Sequence, residues 1–248
     1  MEEELKIKNL NVTIDDEHLL KDINISIYRN EVVGILGESG SGKTLTTKFI
    51  LGILPEKSII NYDEFKKNVS IGAIFQNAFI LFNPTVTIGK QLKHLYISHY
   101  NKLDGFSEFI EEIFNKVGLD NKDYLKKYPF ECSGGERQRL AIAGALTGKP
   151  KILIADEITT ALDTKTKEEV LDLLKNVKEE GSIIYISHEI NTMKHFVDRI
   201  YVMYKGEIIE KNITSEIFNN PKHEYTKKLI ALAKKYESEE WCFFKYLK

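Results

Sequence analysis

Hydrophobic and polar positions change rhythm several times along this chain. Leu5, Ile7, Leu10, Val12 and Ile14 alternate imperfectly with polar neighbours, the pattern expected of an edge strand. After a turn at Asp15-Asp16-Glu17, Ile23, Ile25 and Ile27 alternate cleanly with Asn24, Ser26 and Tyr28, which predicts a half-buried strand. Val32 to Leu36 is apolar throughout and predicts a buried strand, as does Val69 to Phe75, which ends at Gln76. Between Asn83-Pro84 and Pro129 the spacing becomes helical, with Phe106, Phe109, Ile110, Ile113, Phe114 and Val117 on one face. Further on, a helix is expected over Arg137 to Leu146 and a short strand over Ile152 to Ala155. An amphipathic helix follows over Thr164 to Glu180, with Val170, Leu171, Leu173, Leu174 and Val177 inward. Ser182 to Ser187 is the next strand, Lys205-Gly206 marks a hairpin between Ile200–Met203 and Glu207–Ile209, and the tail from Glu224 is helical.

This order predicts an α/β fold. Antiparallel β structure at the N-terminus precedes a mostly parallel sheet with helices on both faces. We expect one domain over residues 1–248, with a helical subdomain inserted at 85–130 and a C-terminal helical tail at 212–248. The aromatic residues Trp241, Phe243, Phe244 and Tyr246 in that tail are expected to dock onto the body of the protein rather than onto a partner.

Composition narrows the classes. Of 248 residues, 42% are hydrophobic and 29% charged, as in a globular protein. A net charge of −2 gives no broad basic surface, so no nucleic-acid partner is expected. No apolar run approaches the ~20 residues needed to cross a bilayer. Met1-Glu2-Glu3-Glu4 lacks the basic start of a signal peptide, and Cys132 and Cys242 are too far apart for a metal-binding pair. A reducing, cytoplasmic setting is expected, with membrane attachment through a partner left open.

The chemistry begins where the strand at Val32 ends. Gly37-Glu38-Ser39-Gly40-Ser41-Gly42-Lys43-Thr44 follows it and opens a helix, the strand–loop–helix context of a phosphate loop. Glycines let successive backbone N–H groups turn towards one anion, and the helix N-terminus adds partial positive charge. Lys43 can reach the β- and γ-phosphates of a nucleotide, and the Thr44 hydroxyl can ligate Mg²⁺. Ile152 to Glu157 then delivers two acids at a strand end. Asp156 is placed to hold Mg²⁺, and Glu157 to orient or deprotonate an attacking water. Ser133-Gly134-Gly135 at a second helix start forms another anion site. One nucleotide does not need two such loops, so the second is expected to serve the nucleotide of another protomer.

With its neighbours, that stretch reads Cys132-Ser133-Gly134-Gly135-Glu136 and resembles the Leu-Ser-Gly-Gly-Gln signature of the ATP-binding cassette ATPases, departing at Cys132 and Glu136. The resemblance extends to the Q-loop at Gln76, the D-loop at Ala161-Leu162-Asp163 and the switch histidine at His188. Alone, His188 is as readily a surface histidine. The resemblance implies a P-loop NTPase core that hydrolyses ATP with Mg²⁺. It implies that Gln76 contacts the metal and senses a membrane partner, that Asp163 belongs to the nucleotide site, that His188 contacts the γ-phosphate, and that Glu136 brings negative charge near that phosphate. Ile14 stands where the family usually carries an adenine-stacking aromatic, so base stacking is expected to be weak; Ile158 stands where the family carries proline, and neither departure removes a phosphate-handling group.

Ile74-Phe75-Gln76, Phe82-Asn83-Pro84, Thr87-Ile88-Gly89-Lys90-Gln91 and Asn220-Pro221-Lys222-His223-Glu224-Tyr225-Thr226 resemble the peptide and nickel importer branch. The short gap from Lys43 to Gln76 suggests a trimmed β subdomain, and the chain looks like the shorter nickel/opine type. That branch implies import of oligopeptides, nickel or metal chelates. It also implies a second ATPase subunit of different sequence, two membrane permease subunits and an extracellular binding protein, with this chain peripheral at the cytoplasmic face of the membrane. The alternatives are a peptide exporter subunit and a non-transport cassette ATPase.

Overall fold

The computed structural model describes residues 2–75, 81–119, 122–160 and 162–246, with side chains up to residue 235. Gln76 and Ala161 therefore lie outside the described residues, and so do the side chains of Trp241, Phe243, Phe244 and Tyr246. The first strand, β1 (Glu3–Ile14), explains its own broken alternation. Leu5 and Ile7 are buried, then Leu10 and Val12, and the parity changes across Asn9, whose φ is 51°. One extra residue bends the strand and shifts which side chains face inward. The imperfect pattern was not that of an edge: β1 lies between β2 (Glu17–Tyr28) and β4 (Ile59–Asn61), and β5 (Glu64–Lys67) also pairs with it. The β1–β4 pair is antiparallel, with Val12 opposite Ile60. These last two strands are short, of three and four residues.

Between these strands run β3 (Val32–Leu36), buried at every residue, and α1 (Lys43–Leu51). The chain continues through β6 (Ile71–Ile74), α2 (Ile88–Tyr100), α3 (Phe106–Lys116), α4 (Gly134–Leu146), β7 (Ile152–Asp156), α5 (Thr164–Lys178) and β8 (Ser182–Ser187). It ends with α6 (Ile190–Met193), β9 (Arg199–Tyr204), β10 (Glu207–Ile213), α7 (Thr214–Asn219) and α8 (Glu224–Tyr246).

These elements fall into two units, one of Met1–Leu5, Ile27–Glu31 and Lys67–Ile184, the other of Lys6–Ser26, Val32–Lys66 and Tyr185–Lys248. In the first unit β6 runs parallel to β7, Ile71 opposite Ile152 and Ile74 opposite Ala155. Only Ile74 of β6 is fully buried, because β6 is the last strand on its side; the expectation of a wholly buried strand there is corrected. The helical face foreseen around Phe106 buries Phe106, Ile110, Ile113 and Phe114. Tyr96 and Tyr100 of α2 meet Phe109 of α3 at ring separations of 5.0 and 5.6 Å, which clips the two helices together.

In the second unit β9 lies between β3 and β10. It is parallel to β3, with Val33 opposite Arg199 and Leu36 opposite Val202, and antiparallel to β10. The turn joining β9 to β10 has positive φ at Lys205 (49°) and Gly206 (82°), the primed geometry that matches strand twist. Tyr201, 1% exposed, ties β9 to β2: its hydroxyl accepts from the Ser26 N–H at 3.0 Å and from Arg199 Nη1 at 2.7 Å. Tyr201→Phe leaves those donors short of an acceptor in the interior. It is expected to lower the unfolding free energy by about 1–3 kcal/mol in urea titration. Wild-type stability would show that this hydroxyl contributes nothing.

Candidate functional site

The phosphate-loop sequence lies wholly in the second unit, and its shape follows from its glycines. At Gly37 an added Cβ would meet Ser41 Oγ at 2.6 Å and run into the Met203 carbonyl of β9. Gly42 adopts φ 105°, a left-handed conformation, and a Cβ there would meet Leu20 Cδ2 at 2.6 Å. The loop is tied down from outside: the Gly206 N–H of the β9–β10 turn donates to Ser41 O at 3.1 Å, and the Lys21 N–H donates to Gly206 O at 2.8 Å.

Lys43, 4% exposed, is aimed back along the loop. Its Nζ donates to the carbonyls of Gly37 at 2.7 Å and Glu38 at 2.8 Å. No side chain caps the start of α1, so its first amides are presented by glycine-shaped backbone alone. The Glu38 N–H donates to the Tyr225 hydroxyl at 3.1 Å, a contact between residues 187 positions apart. In the same unit His188 follows the buried Ser187 at the end of β8 and is exposed. Ile14 is half-buried, and a His18 ring nitrogen lies 3.1 Å from Asn11 Oδ1.

The first unit carries the acidic pair and the second glycine motif. β7 is buried through Asp156, which is 2% exposed. Glu157 then takes φ 52°, a left-handed conformation rare outside glycine, and the chain turns at once, with Thr160 N–H donating to Glu157 O at 3.3 Å. Such backbone strain persists only where the surroundings hold it, and it clusters at functional sites. Ile158 and Thr159 beyond it are buried at 2% and 1%, so isoleucine in the family's proline position fills core space.

Ser133 caps α4 and Glu136 completes a capping box. The Ser133 N–H donates to the Glu136 carboxylate at 2.6 Å, and the Glu136 N–H donates to Ser133 Oγ at 3.2 Å. The Tyr124 hydroxyl donates to the same carboxylate at 2.8 Å. The Ser133 N–H, set against burial, holds the Glu136 carboxyl below the usual carboxylate range, while that carboxylate and burial push the Tyr124 phenol up to about 12. Glu136 is therefore turned onto its own helix start, a use that the departure from glutamine did not reveal. Asp163 likewise caps α5, accepting from the Thr166 N–H at 3.1 Å and the Thr166 hydroxyl at 2.6 Å. The two helix starts meet at a cavity of about 430 Å³ lined by Ser133, Gly134, Gly135, Glu136, Asp163 and Thr166, among others. The Arg139–Glu169 ion pair, 2.9 Å long, also lines it. Residues singled out separately in the sequence thus share one cavity. Tyr124, Thr166 and Arg139 add to the cavity of the first unit, and Tyr225 to the phosphate loop of the second, without any motif to announce their roles, although Tyr225 stands within a stretch that the sequence singles out.

The ABC transporter family model matches residues 20–160. The chain is 35% identical to the metal-staphylopine import system ATP-binding protein CntD of Staphylococcus aureus, over 93% of each chain. It is also 35% identical to the oligopeptide transport ATP-binding protein OppF of Lactococcus lactis, covering 93% of this chain and 80% of that one. Among solved structures it resembles CbiO1 from Clostridium perfringens, part of the ABC transporter complex CbiONQ, with a TM-score of 0.76, 28% identity, and 89% and 92% of the two chains covered.

The capping box gives a pH signature. Because the folded Glu136 carboxyl sits below its ordinary range, the cap contributes above the unfolded-state value and is lost as pH falls through the depressed folded one. The Ser133 amide proton resonance is expected to move upfield on acidification, with a midpoint below the ordinary glutamate range, and Glu136→Gln should abolish the titration. A midpoint at or above that range would contradict the cap.

Proposed function

The chain belongs to the ABC transporter family and is the ATP-hydrolysing subunit of an importer; from that premise we propose that its cargo is a metal–chelate complex. The observation that carries the cargo is the 35% identity to the metal-staphylopine ATP-binding protein, over 93% of both chains. The oligopeptide ATP-binding protein OppF is 35% identical over 93% of this chain, and an oligopeptide cargo is the second reading.

In this reading residues 1–248 form one nucleotide-binding domain, with 85–130 as the helical insertion and 212–248 as the tail. Backbone N–H groups of Gly37 to Thr44 receive the phosphates of ATP, and Lys43 balances their charge. The residues present fit Mg²⁺. Asp156, buried at the end of β7, offers a carboxylate and Thr44 a hydroxyl, both hard oxygen donors. A metal held by one or two protein oxygens and the phosphates of its substrate is the usual arrangement for Mg²⁺ in phosphoryl transfer. When bound it supplies charge neutralisation on the phosphate oxygens.

Glu157 accepts a proton from the attacking water, whose oxygen displaces ADP from the γ-phosphorus, and His188 hydrogen-bonds the γ-phosphate. By the family resemblance Gln76 would help hold the metal and report to the permease. Ser133, Gly134, Gly135 and Asp163 receive the nucleotide of a second ATPase subunit of different sequence. Two membrane permease subunits and an extracellular binding protein complete the importer, which holds this chain at the cytoplasmic face. In this reading attachment runs through the permease; among the described residues no helix is long and apolar enough to cross a membrane.

The assembled transporter carrying Glu157→Gln is expected to bind ATP, release no phosphate, and import neither labelled metal chelate nor peptide. The unmodified transporter should import the chelate. Normal phosphate release by the variant would remove Glu157 from the role of base. Import of peptide alone by the unmodified transporter would transfer the cargo to the second reading.

A further inference from the structure

The stretch Asn220 to Thr226 has no part in the nucleotide chemistry above, yet the structure folds it into a bracket that reaches the phosphate loop. Its root is Glu210 on β10, whose carboxylate accepts the Lys222 N–H at 2.8 Å and the His223 N–H at 3.0 Å. His223 Nδ1 in turn accepts the Tyr225 N–H at 3.1 Å, and Thr226 is fully buried. The Tyr225 ring lies 4.4 Å from the Tyr204 ring at an angle of 32°, at the end of β9 and one residue before the turn that holds Ser41. From this seat the Tyr225 hydroxyl accepts the Glu38 N–H at 3.1 Å.

The Glu38 N–H and the Gly37 carbonyl belong to one peptide plane and, in a trans peptide, point to opposite sides. Gly37 O accepts Lys43 Nζ at 2.7 Å. One plane is thus held by a tyrosine hydroxyl on one side and by the phosphate-loop ammonium on the other. Gly37 has no Cβ and resists rotation of that plane less than any other residue. A flip would turn the carbonyl away from Lys43.

We propose that Tyr225 is a positioning residue of the phosphate loop, fixing the Gly37–Glu38 peptide so that Lys43 stays aimed for nucleotide phosphates. The bracket makes ATP affinity depend on how the start of α8 is seated against β10. This rests on the reading of Gly37 to Thr44 as the nucleotide site.

The test measures ATP dissociation constants by calorimetry on the full chain, together with the ¹H–¹⁵N resonance of the Glu38 amide. Tyr225→Phe keeps the ring contact with Tyr204 and removes only the hydroxyl. It is expected to weaken ATP binding about three- to tenfold and to move the Glu38 amide proton upfield. An unmoved resonance would show that the hydroxyl does not accept from Glu38, and a moved resonance with unchanged ATP affinity that the contact is merely structural. Glu210→Ala releases the root of the bracket and should weaken binding in the same direction, which keeps the test usable if Tyr225→Phe fails to fold. Lys43→Ala guards the underlying reading: folded Lys43→Ala protein that binds ATP normally would sink the nucleotide site itself. With Lys43→Ala impaired, ATP affinity within twofold of wild type in Tyr225→Phe would overturn the bracket, whatever the resonance does.

Discussion

Everything in the second unit depends on how closely the backbone at Gly37 can approach β9. The loop has to double back immediately after β3, and the space it turns through is bounded by the Met203 carbonyl and Ser41 Oγ. Only a residue without Cβ passes. That approach requires β3 and β9 to be neighbours in the register that sets Val33 opposite Arg199, so strand pairing and loop shape form one constraint. The β9–β10 turn closes the arrangement by donating from Gly206 to Ser41. Strand packing is thereby converted into a cradle of backbone amides, the element from which a nucleotide site is built.

A different economy governs the first unit. Ser133, Glu136 and Asp163 all serve as helix caps, and the caps of α4 and α5 border the same cavity. Helix starts present amides and a partial positive charge, and side chains that satisfy some of those amides decide which others face an incoming anion. Glutamate in place of the family's glutamine keeps the capping geometry and adds a charge that is absorbed by the Ser133 N–H and the Tyr124 hydroxyl. The departure from the family signature therefore leaves the helix start intact.

Much of this was legible along the chain because it is local. The apolar run of β3 followed by glycines, the Lys205-Gly206 hairpin and the stripe from Phe106 to Val117 each carry their signal within a dozen residues. What was not legible is either non-local or conformational. The interior position of β1 depends on β4 and β5, which follow it some fifty residues later, and its bulge at Asn9 mimicked the weak alternation of an edge. The left-handed Glu157 cannot be read from a non-glycine residue type. Tyr225 meets Glu38 across 187 positions; the stretch around it was visible as a motif, but its contact was not.

Glycine at position 37 admits the backbone approach that shapes the cradle. The most direct measurement is ATP binding by calorimetry on Gly37→Ala, with circular dichroism and thermal melting on the same sample. One added methyl should abolish measurable ATP binding while the far-ultraviolet spectrum stays that of the wild type, because the Ser41 hydroxyl can move aside but the Met203 carbonyl, strand backbone, cannot. A folded Gly37→Ala protein that binds ATP with wild-type affinity would contradict the account.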